Sequence, residues 1–453
     1  MSNSLKLGAL AAVVVSSIAE AQIPATRQIG SVTATTSEAF GVNVFVRHLK
    51  DGVLVNDIAN RRLLLFDTTL SKFTVVADST PATANAYSGR NGGLIAYKAD
   101  STLFVDAASM SMLVIDPAGK VQRVMSVPRS QDAMVLGNSM LGAPAFDGAG
   151  KLVYRGMPRP MFRQERVAAG AGGGAPAFSP PDIPDTSAVL RIDLATRQVD
   201  TVAWLKGPKI KFDIQRDDNG RVNISSQVNP LPVVDDFGVM SDGSIAVVRG
   251  RDYHVDFIRP DGKRESAAKI PFEWRRLTDE DKVAFLDSVK AARQRMANAP
   301  MPQIAGAPAG AGAAAGGGAA GGGRPGGDAG RPGEVRIMIG GDGPGGGAPP
   351  GGGGMMGNRE LSFVPAAELP DYQPVFFAGA VRADNDGHLW IRTTPTKALP
   401  GGPVYDVVNS KGELVDRVQV PKDRTIAGFG TDGIVYLIAR DGTTTKLERA
   451  RMK

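Results

Sequence analysis

The chain contains no cysteine, which excludes disulfides, a thiolate nucleophile, cysteine-based zinc or iron–sulfur sites and a lipid-modified cysteine of the bacterial lipoprotein kind. Histidine is almost as scarce. Only His48, His254 and His388 occur, so a three-histidine metal centre would consume all of them and leave none for acid–base work. No Gly-x-Ser-x-Gly nucleophile elbow is present, which removes one common hydrolase type. The net charge of +6 comes from Lys and Arg scattered among acids rather than from basic runs interleaved with aromatics, so no nucleic-acid partner is expected. No apolar run approaches the ~20 residues of a membrane helix, and no membrane span is expected.

The N-terminus does carry a short apolar run. Lys6, then Leu7 to Val15, then Ala19-Glu20-Ala21 has the order of a secretory signal with its small-residue cleavage site. Residues 1–21 are therefore expected to be a signal peptide, with cleavage before Gln22. The mature chain is expected in the periplasm or outside the cell, where the lack of disulfides suits a bacterial setting.

Beyond residue 38 a unit recurs: turn, apolar strand, loop, apolar strand, turn, strand. Its first turn is Asp51-Gly52, Asp147 to Gly150, Asp242-Gly243, Asp386-Gly387 or Asp432-Gly433, each followed by an apolar strand, with a degenerate copy at Asp100-Ser101. Its second turn closes another apolar strand, as in Leu113-Val114-Ile115-Asp116-Pro117-Ala118-Gly119-Lys120. Asp and Gly tolerate the backbone angles of tight hairpins. Evenly spaced short strands without intervening helices indicate the four-stranded blades of an all-β, six-bladed β-propeller. The blades are expected at 39–78, 91–127, 142–205, 236–271, 376–420 and 426–451. The last has room for three strands, and Gln28 to Thr35 is expected to supply the fourth, closing the ring.

Asn385-Asp386-Gly387-His388-Leu389-Trp390-Ile391 resembles the Asp-x-x-Gly-x-Leu-Trp signature of bacterial six-bladed propellers of the NHL and TolB-like kind. The resemblance implies architecture only, since these families include binding scaffolds, lyases and lactone hydrolases.

Two interruptions complete the expected organisation. Blades one to four and the closing strand occupy 22–276. Apolar Val283, Leu286, Val289 and Met296 recur near helical spacing, which predicts one inserted amphipathic helix over 277–297, with Thr278 as N-cap and Asp281 three residues on. A Gly/Ala/Pro-rich linker over 298–358 is expected to be disordered, because it buries too little apolar area to offset its ordering entropy. A smaller copy runs from Ala168 to Pro181. Blades five and six follow in 359–453.

Several motifs are decoys. Gly428-Phe429-Gly430-Thr431-Asp432-Gly433 matches a dinucleotide fingerprint by letter, but a strand rather than a helix follows it, so it reads as a hairpin turn. Asp384 to Gly387 and Asp217 to Gly220 are oxygen-rich but lack the bidentate Glu of an EF-type loop. They read as Asx turns.

One constellation points to function. Arg155, Arg249 and Arg392 each stand just past the second strand of a blade, so the three guanidiniums are expected on one face of the propeller. A guanidinium fork suits carboxylate or phosphate. Arg251, Asp252, Tyr253, His254 and Asp256 crowd the same loop of blade four. The expected function is binding of an anionic small molecule, glycan or peptide, or of a protein partner, by a monomer through Arg155, Arg249, Arg392, Tyr253 and His254. No cofactor is expected and no catalytic residue is assigned. The alternative is a metal-assisted lyase or hydrolase holding calcium or zinc, with Tyr253 or His254 moving protons. Salt bridges to neighbouring aspartates are the competing structural role of the three arginines.

Overall fold

The computed structural model describes residues 23–41, 43–138, 142–158, 183–216, 222–298, 362–397, 401–442 and 444–452. The signal segment, the Ala168 to Pro181 stretch, Asp217 to Gly220 and the long Gly-rich linker lie outside these residues. Two compact units emerge, one of residues 1–209, 231–277 and 370–453, the other of 210–230 and 278–369.

The first unit is a six-bladed β-propeller. Blade one runs Val44–Leu49, Gly52–Asp57, Arg62–Phe66 and Phe73–Asp78, from the inner to the outer strand, and blade two begins at Gly92–Ala96 and ends at Val121–Ser126. Blade three is built from Ala145–Phe146, Leu152–Arg155, Thr186–Ile192 and Val199–Lys206, and blade four from Asp236–Val239, Ile245–Arg249, His254–Ile258 and Arg264–Ser266. Blade five contains Val381–Ala383, Leu389–Thr393, Val404–Val408 and Leu414–Gln419. Blade six has three strands of its own, Arg424–Phe429, Ile434–Asp441 and Thr444–Arg451, and Val32–Thr35 pairs antiparallel with the last as the fourth. The chain ends thus close the ring by strand exchange. Arg27–Gln28 adds a fifth, parallel strand to blade five, anchored by an ion pair between Arg27 and Asp416.

Five hairpins are tied by the residue at their head. The Asp116 carboxylate accepts backbone N–H groups from Ala118 at 3.0 Å and Lys120 at 2.8 Å, and Asp384 does the same for Asp386 at 2.9 Å and His388 at 2.8 Å. Asp67, Asp147 and Asn409 repeat the geometry. Of the two Asx turns read from the sequence, the one at Asp384 is thus observed. Apolar side chains then gather into six clusters, each between two neighbouring blades. Each fully buried Leu, Val or Phe adds ~1.5–3 kcal/mol, so the ring is held by its blade-to-blade layers.

Gly428 shows why the dinucleotide-like stretch has its glycines. A Cβ at this inner-strand position of blade six would lie 2.4 Å from the Val46 carbonyl oxygen of blade one. Gly433 takes a φ of 70° in the hairpin turn before Ile434. The motif is a close approach and a turn.

The second unit pairs Lys211–Arg216 antiparallel with Val222–Val228, and Ser362–Phe363 parallel with the latter. The expected blade assignment passes over these strands, because the sequence was matched to blades and the short alternation Lys-Phe-Asp-Ile-Gln-Arg carries no second repeat turn. The unit also holds the helix Asp279–Asn298. Its start is a reciprocal cap: Thr278 Oγ1 accepts from Asp281 N at 3.2 Å, and Asp281 accepts from Thr278 N at 3.1 Å. Leu286 is buried but Val283 is half exposed, so the apolar face is narrower than its spacing suggests. No helix among the described residues is long and apolar enough to cross a membrane.

Two outcomes follow. Gly428→Ala is expected to destabilise by ~1–3 kcal/mol, the usual cost of overpacking, seen as a lower midpoint in thermal or urea unfolding. The backbone N–H of Ser71 holds the Asp67 carboxyl at about 2, and those of Lys120 and Thr196 hold Asp116 and Asp193 below the ordinary range. A carboxyl depressed in the folded state contributes stability that is complete above its unfolded pKa, about 3.9, and is lost as pH falls through the folded value. Melting temperature measured between pH 5 and pH 2 should therefore drop, and Asp67→Asn, which keeps the acceptor but cannot titrate, should shallow that drop.

Candidate functional site

Strand register decides where each arginine points. Successive side chains on a strand face opposite sides, and Arg155 shares its side with Val153, which packs against blade four. Its Nη2 reaches Asp236 Oδ1 at 2.8 Å. Asp236 is fully buried; burial pushes its carboxyl up, while Arg155 and the backbone N–H groups of Val381, Phe237 and Gly379 pull the other way.

Arg249 faces the opposite way, toward blade three. It stands one residue further from its turn glycine than Arg155 and Arg392 do from theirs, and a one-residue offset reverses the side of a strand. The three guanidiniums therefore do not all turn toward the same neighbour: Arg249 looks back to the preceding blade. It donates to Asp235 at 2.8 Å, to Asp256 at 2.7 Å and to the Trp204 carbonyl at 2.9 Å. Burial pushes Asp256 up, yet hydrogen bonds from Ser266 and Arg249 hold it below its ordinary value. A groove of about 570 Å³ between blades three and four is lined by Arg249, Asp256, Trp204, Arg264 and Glu265, so its charges are matched.

Tyr253 is fully buried. Its φ of 47° puts a bulky residue in the left-handed region, held there by packing against Phe272 and Phe376 and by its hydroxyl, which donates to Asp406 at 2.9 Å. Arg417 donates to the same carboxylate at 2.7 Å. Burial raises the Tyr253 phenol well above its ordinary value. Both ring nitrogens of His254 meet carboxylates, Asp252 at 3.0 Å and Asp256 at 3.2 Å. The other two histidines lie elsewhere: His48 bonds Tyr436 at 2.9 Å, and His388 bonds Asp384 at 3.1 Å. No group of metal-ligating side chains converges among the described residues.

Arg392 differs from the other two arginines. It is exposed, and among the described residues no carboxylate pairs with it. It faces blade six with Trp390, whose ring joins the apolar cluster between blades five and six. Where blade four offers Asp236 to Arg155, the inner strand of blade six runs Arg-Thr-Ile-Ala-Gly-Phe and offers no acid. Arg392 pairs in register with Tyr405 and Trp390 with Arg382, so all four side chains share one side of the sheet.

Arg382 was not singled out by the sequence reading. It stands on the inner strand of blade five, half buried, with its guanidinium 5.5 Å from the Phe45 ring centroid of blade one. Nη1 donates to the Ile426 carbonyl of blade six at 2.8 Å, and no carboxylate among the described residues pairs with it. Burial lowers its pKa; Tyr405 acts to raise it and Arg392 to lower it further. By contrast Arg47, on the inner strand of blade one, meets Asp100 at 3.2 Å. Tyr405 is 7% exposed, and burial raises its phenol although both arginines pull it down. The sequence signal for Arg382 was a lone cation flanked by Val381 and Ala383 in an inner strand.

The chain is a six-bladed β-propeller. No family model matches it, and no curated protein does. Among solved structures it is similar to the calcium-binding protein regucalcin from Agrobacterium tumefaciens, at 10% identity over 94% of this chain and 97% of that one, with a TM-score of 0.36. Virginiamycin B lyase from Staphylococcus aureus gives 10%, 93%, 99% and 0.33 in the same order, and TolB from Acinetobacter baumannii 9%, 90%, 63% and 0.31. The likeness concerns the course of the chain, so the site is read from its own residues.

Tyr253→Phe should cost about 1–2 kcal/mol of stability, because it leaves the buried Asp406 one donor short, and should leave any ligand binding by the intact propeller unchanged. Urea unfolding and a binding titration on one preparation separate the two effects.

Proposed function

We propose that this propeller binds an anionic ligand between blades five and six, using Arg392 together with Arg382 and Tyr405. The observation that carries the reading is the contrast among arginines. Arg155 and Arg249 are matched by Asp236, Asp235 and Asp256, whereas Arg382 and Arg392 stand on the same side of blade five with no carboxylate partner among the described residues. Two like charges held near each other raise the energy of the unliganded protein, and an anion relieves it. Arg155, Arg249, Tyr253 and His254 act on this reading as supports that lock blades three, four and five. The leader-like N-terminus supports action in the periplasm or outside the cell. The metal-assisted alternative gains nothing from Tyr253, whose hydroxyl is sealed in the core.

The test is thermal unfolding of the whole chain against a panel of sugar acids, peptides and phosphates. A ligand at 100 times its Kd adds about 2.7 kcal/mol. Arg392→Ala, an exposed change that also relieves repulsion with Arg382, should leave the melting temperature of the free protein no lower than before and abolish the ligand-induced rise. A rise of equal size in Arg392→Ala would overturn the reading.

A further inference from the structure

The anion reading leaves the class of anion open, and the donors around the proposed site narrow it. Three neighbouring strands of blade five each present one group to the same side: Arg382 from the inner strand, Arg392 from the second and Tyr405 from the third. Arg382 is already fixed by the Ile426 carbonyl and the Phe45 ring, so one fork is preorganised. A planar carboxylate has two oxygens and one charge, which one guanidinium fork satisfies. Two forks and a phenol supply more donors than it can use and leave one positive charge uncompensated. A terminal phosphoryl group has three oxygens and, as a monoester, a charge near −2 at neutral pH.

Resting on the proposed anion site, we infer that the cluster of Arg382, Tyr405 and Arg392 on one side of blade five is a seat for the dianion of a phosphate monoester. The titration of the ligand then becomes visible in its binding. A monoester loses its second proton with a pKa of about 6. The arginines stay charged, the Tyr405 phenol is raised and stays neutral, and none of the three histidines contacts the cluster. Affinity should therefore follow the dianion fraction.

The experiment is calorimetric titration of the whole chain with methyl phosphate, dimethyl phosphate and acetate at pH 5.0 and pH 7.5. Methyl phosphate should bind about tenfold more tightly at the higher pH, as its dianion fraction rises from roughly a tenth to nearly one. Dimethyl phosphate, a monoanion throughout this range, and acetate, a monoanion at pH 7.5, should bind at least about tenfold more weakly than methyl phosphate at pH 7.5, which corresponds to ~1.4 kcal/mol. Arg392→Gln should remove the pH dependence together with the preference; Arg382→Gln should do the same. Arg392 is exposed, so its variant tests the idea even if Arg382→Gln folds poorly. Equal, pH-independent binding of all three probes would overturn the dianion inference and keep the anion site. Binding of none would overturn both.

Discussion

One hydrogen-bond arrangement underlies the rest of this molecule: a side-chain oxygen at the head of a hairpin accepting two backbone N–H groups ahead of it. Asp67, Asp116, Asp147, Asp384 and Asn409 all do this. The contact satisfies donors that a tight turn would otherwise leave to solvent. It also fixes the register of the two strands it joins, and register fixes which side of the blade each residue faces. The apolar clusters between blades exist because that choice is repeated blade after blade. So do the orientations of the arginines. Arg155 and Arg392 stand at one distance from their turn glycines and look forward to the next blade; Arg249 stands one residue further and looks back.

From that geometry the electrostatics follows. Arg155 and Arg392, at the ends of their second strands, look toward the inner strand of the next blade, and the first residues of that strand decide whether each is neutralised. Blade four begins Asp236-Phe237-Gly238-Val239, and Arg155 is paired. Blade six begins Arg424-Thr425-Ile426, and Arg392 is not. Arg424 turns to Glu448 on its own blade, bonding it at 2.6 Å and 2.9 Å, so it neither helps nor blocks the proposed site. The absence of one acid at one strand start thus converts a structural salt bridge into an open guanidinium.

The sequence made the architecture legible because the information needed was local and repeated. Turn residues, strand lengths and the short last blade sufficed to place six blades and to assign the N-terminal strand to the sixth. The helix start was equally local, and Thr278 and Asp281 form the reciprocal cap their spacing implies. The candidate site was harder, because partnership between charges is a relation between strands distant in sequence. Salt bridges to neighbouring aspartates were one role open to the three arginines, but nothing local told that Arg155 and Arg249 would take it and Arg392 would not. Nothing near Arg392 announced that Arg382, ten positions earlier, would share its side of the sheet. Tyr253 sat beside plausible chemical groups in the sequence, but its hydroxyl turns inward to Asp406, 153 residues away. An internal alignment by proximity to the second strand, rather than by counting from the turn glycine, concealed the reversed side of Arg249.

Arg382, on the side of blade five that faces blade six, also departs from the pairing with an opposite charge that several buried groups show. Asp57 meets Arg62, Asp132 meets Arg129, Asp236 meets Arg155 and Asp406 meets Arg417. A buried charge without its opposite costs stability, and replacing such a group with an apolar one of similar volume is often neutral or favourable. Arg382 keeps the cost: its guanidinium leans on an aromatic face and a carbonyl, contacts weaker than a carboxylate. Departures of this kind from otherwise consistent local rules concentrate where a protein meets its ligand. On the proposed reading, an anion seated beside Arg382 and Arg392 would recover part of the stability given up at Arg382 in the free propeller, which would link its affinity to the lower stability of the empty state.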